Sequence, residues 1–346
     1  MTLDLFADYA PPAPPPMAFS QMRVRTRIAP SDLEARKGRV LSTARGEDYD
    51  WLMIGPTELY LPDGRLLAKY LPGVLKPFRE QAIGTLRHMG KKTSDNRGLA
   101  SGYDRRLLKQ EGTRTRTPLV NSMVAGALDP GGAYRYCRLT AYTAQEWERW
   151  SGLHPMFGAI DDHFRHYVPD RYAVQQDFVQ RTKPEWVVGN TVFTTITVNR
   201  SYPTGVHTDA GDLEEGFSNL AVFRSGDYRG GVFVFPEYRV GVDMQDGDLL
   251  LMDAHQWHGN TYMECNVCGQ GMGAKEFYPS HEECQSERIS VVCYYRTKMA
   301  ECGTQAEEYE RARQWAEKRI DAHFDEAIDA YRAMTVEEMA QEAIGG

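Results

Sequence analysis

The sequence predicts a mainly β protein with flanking helices, built on a double-stranded β-helix of the jelly-roll or cupin-like kind. Two observations predict it. Short runs rich in Val, Ile, Phe and Thr recur between Thr191 and Tyr295, separated by Gly, Asp and Pro. Many short strands with turn signals between them favour a sandwich or barrel over a parallel α/β sheet. The chain also carries His207-Thr208-Asp209, then His258, then Arg288-Ile289-Ser290, in that order. A double-stranded β-helix presents such residues from strand ends into the barrel mouth, where pockets form.

The elements follow along the chain. Residues 1–20 are a Pro-rich arm, stiffened by Pro11-Pro12-Ala13-Pro14-Pro15-Pro16. Residues 21–135 form an N-terminal extension that packs on the core and carries a basic loop. Within it, Thr57 to Tyr70 is a hairpin turning at Pro62-Asp63-Gly64. Ser94 to Thr117, rich in Gly, Arg and Thr without periodicity, is a long loop. Residues 136–303 are the double-stranded β-helix core, with a Cys/His insert at 264–286. The capping box Thr143-x-x-Glu146 opens helical structure that continues to His166 and ends before Pro169. Strands follow at Thr191 to Val198, Ser218 to Phe223, Gly231 to Phe235, Leu249 to Met252 and Arg288 to Tyr295. Residues 304–346 are C-terminal helices that buttress the barrel. Thr304-x-x-Glu307 caps the first, whose apolar members include Tyr309 and Trp315, and Thr335-x-x-Glu338 begins a second.

A length of 346 residues and a hydrophobic content of 42% allow one large core with attachments. No apolar run is long enough for a membrane helix, so no membrane partner is expected. Met1 to Tyr9 has two Asp and no basic residue, unlike a secretory leader. The six cysteines imply reduced thiols or a metal site rather than a disulfide scaffold. An intracellular location follows, cytoplasmic or nuclear. The net charge of −8 argues against nucleic acid as a whole-chain value, but it is unevenly spread. Arg87 to Arg116 has nine basic and three acidic residues, whereas Glu301 to Gly346 has twelve acidic and five basic.

The ordered residues carry the chemistry. His-x-Asp with a distal His is the donor set of the 2-His-1-carboxylate facial triad, which holds Fe(II) on one face and leaves the other open to O₂ and a co-substrate. His207 and Asp209 supply the first part. His255 and His258 compete for the last position. His258 fits better: it begins the strand after the turn, and Gly259 gives the metal room, whereas His255 lies within the turn. Arg288 and Ser290 point to one face of their strand. A guanidinium beside a hydroxyl suits the far carboxylate of a dicarboxylate. Fe(II), 2-oxoglutarate and O₂ are therefore the expected cofactor and co-substrates. The triad alone permits equally a hydroxylase of a protein side chain or small molecule. A non-catalytic DNA-binding module is disfavoured by the intact set. Separately, Cys265-x-x-Cys268 and His281-x-x-Cys284 have the Cys₃His spacing of a structural zinc, which would order an insert lacking its own core.

Val192 to Arg296 resembles the TET/JBP family, dioxygenases that oxidise the 5-methyl group of pyrimidines in DNA. The resemblance rests on His207-Thr208-Asp209-Ala210-Gly211-Asp212, Gly226 to Gly231, Phe235-Pro236-Glu237-Tyr238, Met252 to Asn260 and Glu287 to Ser290. It is strongest to the compact microbial, viral and algal members. The resemblance implies His207, Asp209 and His258 as iron ligands and Arg288, aided by Ser290, as the 2-oxoglutarate anchor. It also implies that Asp212, three residues after the metal Asp, faces the target base. The expected partner is DNA with a flipped methylated base, bound by a monomer. Arg105, Arg106 and Arg114 of the basic stretch are the expected phosphate contacts.

Overall fold

The computed structural model describes residues 14, 16–89, 121–131, 134–272 and 284–333. The basic residues Arg105, Arg106 and Arg114, the insert's His281, most of the Pro-rich arm and the second C-terminal helix lie outside the described residues.

Fifteen strands are described: β1 (Ser20–Arg23), β2 (Trp51–Met53), β3 (Thr57–Tyr60), β4 (Leu66–Leu71), β5 (Ser122–Leu128), β6 (Arg138–Leu139), β7 (Thr195–Arg200), β8 (Ser218–Ser225), β9 (Tyr228–Gly230), β10 (Phe233–Phe235), β11 (Val240–Val242), β12 (Asp248–Met252), β13 (Gly259–Asn260), β14 (Met263–Cys265) and β15 (Glu287–Tyr294). The helices used below are α1 (Arg79–Met89), α2 (Ala141–Gln145), α3 (His154–Tyr167), α4 (Pro169–Arg181) and α5 (Gln305–Ala333). The major sheet has the order β1-β3-β4-β12-β8-β15-β7-β5-β6 and faces a smaller sheet ordered β13-β10-β11-β2. A ribbon of β14 with β9 stands beside them. This is the jelly-roll core that the strand pattern predicts.

Alternation along each strand builds the layers. In β15, Ile289, Val291 and Cys293 join one apolar cluster with Phe157, Ile160 and Phe164 of α3. Arg288, Ser290 and Val292 therefore face the opposite way, into the space between the sheets. There Val222, Leu250 and Met252 of the major sheet meet Phe233, Phe235, Val240 and Val242 of the smaller one. α3 follows the helical period, burying Met156, Phe157, Ile160, Phe164 and Tyr167.

The structure places the N-terminal extension within the sheets. The expected hairpin forms as β3 and β4, and β4 pairs with β12 from Leu249↔Leu71 to Met252↔Ala68. β2 extends the smaller sheet beside β11 in parallel register. Other expectations need correction. Thr140, not Thr143, caps α2, its hydroxyl accepting from the Thr143 backbone N–H, while Thr143 Oγ1 accepts from Gly126 N at 2.7 Å. The helical stretch after it is broken into short pieces rather than continuous. Cys137 and Cys302 are joined in a disulfide, against the expectation of reduced thiols throughout, and 165 residues of separation hid the pairing from local spacing. In α5 the expected capping box forms at Thr304 and Glu307. Tyr309 is exposed, however, and the buried member of that first turn is Glu308, which accepts from Cys137 N and Gly303 N. Among the described residues no helix is long and apolar enough to cross a membrane.

Asp161 of α3 ties helices to sheet. Its carboxylate accepts from Val192 N at 2.7 Å and from the Tyr172 hydroxyl at 2.9 Å. Burial pushes its pKa from 3.8 up to about 6, against those bonds. A folded-state value above the unfolded one favours folding at low pH, and that contribution is lost as pH rises through 6. Asp161→Asn should therefore gain stability relative to the parent by about 2–3 kcal/mol between pH 4 and pH 7.5, since each tenfold change in proton affinity is worth about 1.4 kcal/mol. Urea titrations at the two pH values measure this. An unchanged difference would show that Asp161 titrates normally.

Candidate metal centre and its neighbours

Two chain segments meet at the mouth between the sheets. His207 N donates to His258 O at 2.8 Å, and His258 N donates to His207 O at 2.9 Å, an isolated antiparallel bridge. Gly259 makes this approach feasible, and Gly205 lets Gly38 of the N-terminal extension close in behind it. A Cβ on Gly205 would lie 2.2 Å from the carbonyl oxygen of Gly38, and one on Gly259 would lie 3.1 Å from Val206 N. The pairing brings the two rings to a centroid distance of 4.3 Å, and Phe233 stacks on His258 at 5.4 Å.

The ring nitrogens are sorted by their partners. His207 Nδ1 lies 2.7 Å from Gly205 O and His258 Nδ1 lies 2.9 Å from Gln256 O. A proton on each Nδ1 leaves each Nε2 with a free lone pair. Both Nε2 atoms turn toward one carboxylate: Asp209 Oδ1 is 3.4 Å from His207 Nε2, and Oδ2 is 3.9 Å from His258 Nε2. The three donor atoms all lie within 4.8 Å of one another. Burial, with His207 alongside, pushes His258 down to about 4, so its ring is neutral and able to ligate. Two neutral imidazoles and one carboxylate could hold a divalent metal such as Fe(II). His255 is directed elsewhere, its Nδ1 lying 3.3 Å from Asp253 Oδ1, and that carboxylate raises its pKa.

Asp212 sits one turn beyond the cluster. Gly211, at φ 97°, reverses the chain. Asp212 is then fixed by Ser218 Oγ, which donates to its carboxylate at 3.1 Å, and by Thr297 Oγ1, which donates to its carbonyl at 2.9 Å. Burial and the neighbouring Asp209 push its carboxyl up to about 7. Asp212, His255, Ser218 and Tyr294 line one crevice behind the cluster.

Arg288 is buried on the inner face of β15, and its Nη2 has no hydrogen-bond partner among the described residues. A buried guanidinium nitrogen without a partner is costly unless an anion completes it. Ser290 is two residues along on the same face, opposite Asn199 of β7 in register. Sequence reasoning missed two neighbours. Ser201, at φ 44°, donates its N–H to Arg288 O at 2.6 Å and accepts from Arg288 N at 3.3 Å through its hydroxyl. Asn199 is buried beside Ser290 with its Oδ1 unpartnered among the described residues. Strand alternation alone would have put Asn199 on the polar face, but no motif marks it. Of the expected zinc set, Cys265, Cys268 and Cys284 converge, while His281 falls outside the described residues.

The jelly roll and the His₂-carboxylate cluster at its mouth have the fold and donor set of a non-haem iron oxygenase domain. Similarity to known proteins narrows it. The model of the Tet_JBP family, the oxygenase domain of the 2OGFeDO superfamily, matches residues 130–297. The thymine dioxygenase JBP1-B of Trypanosoma cruzi (strain CL Brener) is 31% identical over 264 residues, covering 75% of this chain and 27% of its own. The thymine dioxygenase JBP1 of Leishmania braziliensis is 31% identical over 171 residues, covering 49% of this chain and 19% of its own. NgTET1 in complex with 5mC DNA shares the fold, with a TM-score of 0.50 over 83% of this chain and 100% of that one, at 14% identity. Residues 130–297 thus match the Tet_JBP oxygenase domain, and this superfamily implies Fe(II), 2-oxoglutarate and O₂. The chain spans 27% and 19% of the lengths of the two curated relatives.

Alanine at His207, Asp209 or His258 should abolish iron retention, whereas His255→Ala should keep it. Iron counted by elemental analysis after desalting separates the two. Iron lost by His255→Ala and kept by His258→Ala would reverse the assignment.

Proposed function

We propose that this chain hydroxylates the C5-methyl group of a pyrimidine in DNA, with 5-methylcytosine preferred to thymine. The observation that carries the reading is coincidence: the Tet_JBP match at residues 130–297 spans the segments that make the His207–Asp209–His258 cluster and also contains the buried Arg288. In this reading those three residues hold Fe(II), and Arg288 with Ser290 holds the distal carboxylate of 2-oxoglutarate. The unpartnered Arg288 Nη2 fits that carboxylate.

Iron, 2-oxoglutarate and O₂ supply the oxidation, in which one oxygen atom enters the methyl C–H bond and the other leaves in succinate, with CO₂ released. The chain supplies position. His207 and His258 keep their Nε2 lone pairs aimed at one point through their Nδ1 contacts. Arg288 neutralises a dicarboxylate where water is excluded, which strengthens the pairing. A methyl group inside a duplex cannot reach a site between two sheets, so the base is flipped out. Asp212, held beside the cluster, accepts a hydrogen bond from the base edge. The exocyclic amine of cytosine suits it slightly better than the ring N–H of thymine. Arg105, Arg106 and Arg114 neutralise phosphates, and the protein acts as a monomer. Cys265, Cys268 and Cys284, with His281, hold a structural zinc.

Incubation with Fe(II), 2-oxoglutarate and DNA containing 5-methylcytosine, followed by digestion and nucleoside mass spectrometry, should yield 5-hydroxymethylcytosine. If methylcytosine and thymine DNA both emerge unmodified while another substrate drives succinate release, the DNA reading fails. Arg288→Ala should raise the apparent 2-oxoglutarate requirement at least about tenfold, the loss of a charge-assisted bond of roughly 1.5–3 kcal/mol. Asp212→Ala should lower oxidation of DNA while iron stays bound, as nucleoside counts and metal analysis together will report.

A further inference from the structure

The Cys insert touches the strand that carries Arg288, and its geometry gives a metal bound there a second job. The Sγ atoms of Cys265, Cys268 and Cys284 all lie within 4.8 Å of one another. Sulfurs bound to one tetrahedral zinc, at about 2.3 Å each, lie roughly 3.8 Å apart, so a small inward shift brings all three onto one ion. The turn has the form of a metal-binding knuckle. Cys265 N donates to Gln270 O at 2.9 Å and Gly269 N donates to Cys265 O at 2.9 Å, with Gly269 at φ 68° reversing the chain. Soft thiolates at this spacing select zinc among the common divalent ions.

The knuckle is mechanically linked to the anchor. Cys265 ends β14, which pairs with β9 from Met263↔Gly230 to Cys265↔Tyr228. Directly after β9, Gly231 lies against the anchor: a Cβ there would meet Arg288 Cδ at 3.0 Å. From the other side, Cys284 precedes Arg288 by four residues, and Ser286 between them donates to Asp227 O at 2.8 Å while lying 3.3 Å from the Cys265 sulfur. Tyr228, Met263, Cys265 and Cys284 share one small apolar cluster around these links.

We propose that zinc held by Cys265, Cys268 and Cys284 is a positioning device for the Arg288 anchor, clamping the β9–β14 ribbon to the start of β15. The consequence for co-substrate affinity rests on the 2-oxoglutarate reading above; the metal site itself does not. Binding releases the thiol protons as the ligands form.

The test uses the full chain purified without added metal. About one zinc per chain is expected by elemental analysis, and cobalt substitution should give the intense near-ultraviolet absorption of a thiolate-bound metal. Cys268 is exposed, so Cys268→Ser should lose the zinc while its far-ultraviolet circular dichroism and its iron content stay at the parent's level. Its KM for 2-oxoglutarate should rise about tenfold with kcat at saturation unchanged, a scale typical of outer-shell changes. Cys268→His, which keeps a zinc ligand, should restore both zinc and KM. A folded parent free of zinc, or a disulfide among the three cysteines, overturns the site. Zinc lost with KM unchanged overturns the positioning role. Failure of Arg288→Ala to move KM would fault the 2-oxoglutarate reading and leave the zinc count standing.

Discussion

The two backbone hydrogen bonds between His207 and His258 are the constraint on which the site depends. They join a segment that follows β7 to one that follows β12, so each histidine's position is set by the sheet behind it rather than by its own side chain. Every later feature uses that fixed pair. Asp209 completes the donor set because it is two residues from one member, Phe233 stacks on the other, and Gly259 lets the two backbones touch. A side chain at Gly259 would press on Gly205 and Val206 beside the first histidine, whereas one at Gly205 would strike Gly38 of the N-terminal extension.

The site was more legible than its frame. His-x-Asp, the distal His and Arg-x-Ser are local patterns, and a strand's period of two states which side chains share a face. The choice of His258 could be argued from a turn and a glycine. Asn199 and Ser201 could not, because their importance comes from a neighbouring strand almost ninety residues away in sequence, and Ser201 holds Arg288 through its backbone. The Cys137–Cys302 disulfide was invisible for the same reason. Thr143 looked like a helix cap because Thr143-x-x-Glu146 fits the capping-box pattern, yet the helix end selects the hydroxyl of Thr140, three residues earlier. The zinc spacing could be read from the chain, yet the approach of three sulfurs to one another is a property of the fold.

The N-terminal extension shows how local signals can be right while organisation is missed. The hairpin of β3 and β4 was readable from Pro62-Asp63-Gly64. Its partner was not, since β4 pairs with β12 and β2 pairs with β11, both far along the chain. The family match begins at residue 130, after these strands, yet they lie in the same sheets as the metal-cluster elements. Gly38 and Arg39 even pair with Val206 next to the first histidine. The extension is thus part of the wall of the site and not an appendage.

That strand order has a consequence for how the protein folds. β1, β3 and β4 lie far before β12 in the chain, so the edge of β4 finds its partner only when β12 is in place. Until then the hairpin presents an apolar edge that could pair with any other chain. Pairings of such long sequence separation also close slowly. The pairing of β4 with β12 therefore makes closure of the major sheet a late, non-local event in folding, whichever residues hold the metal.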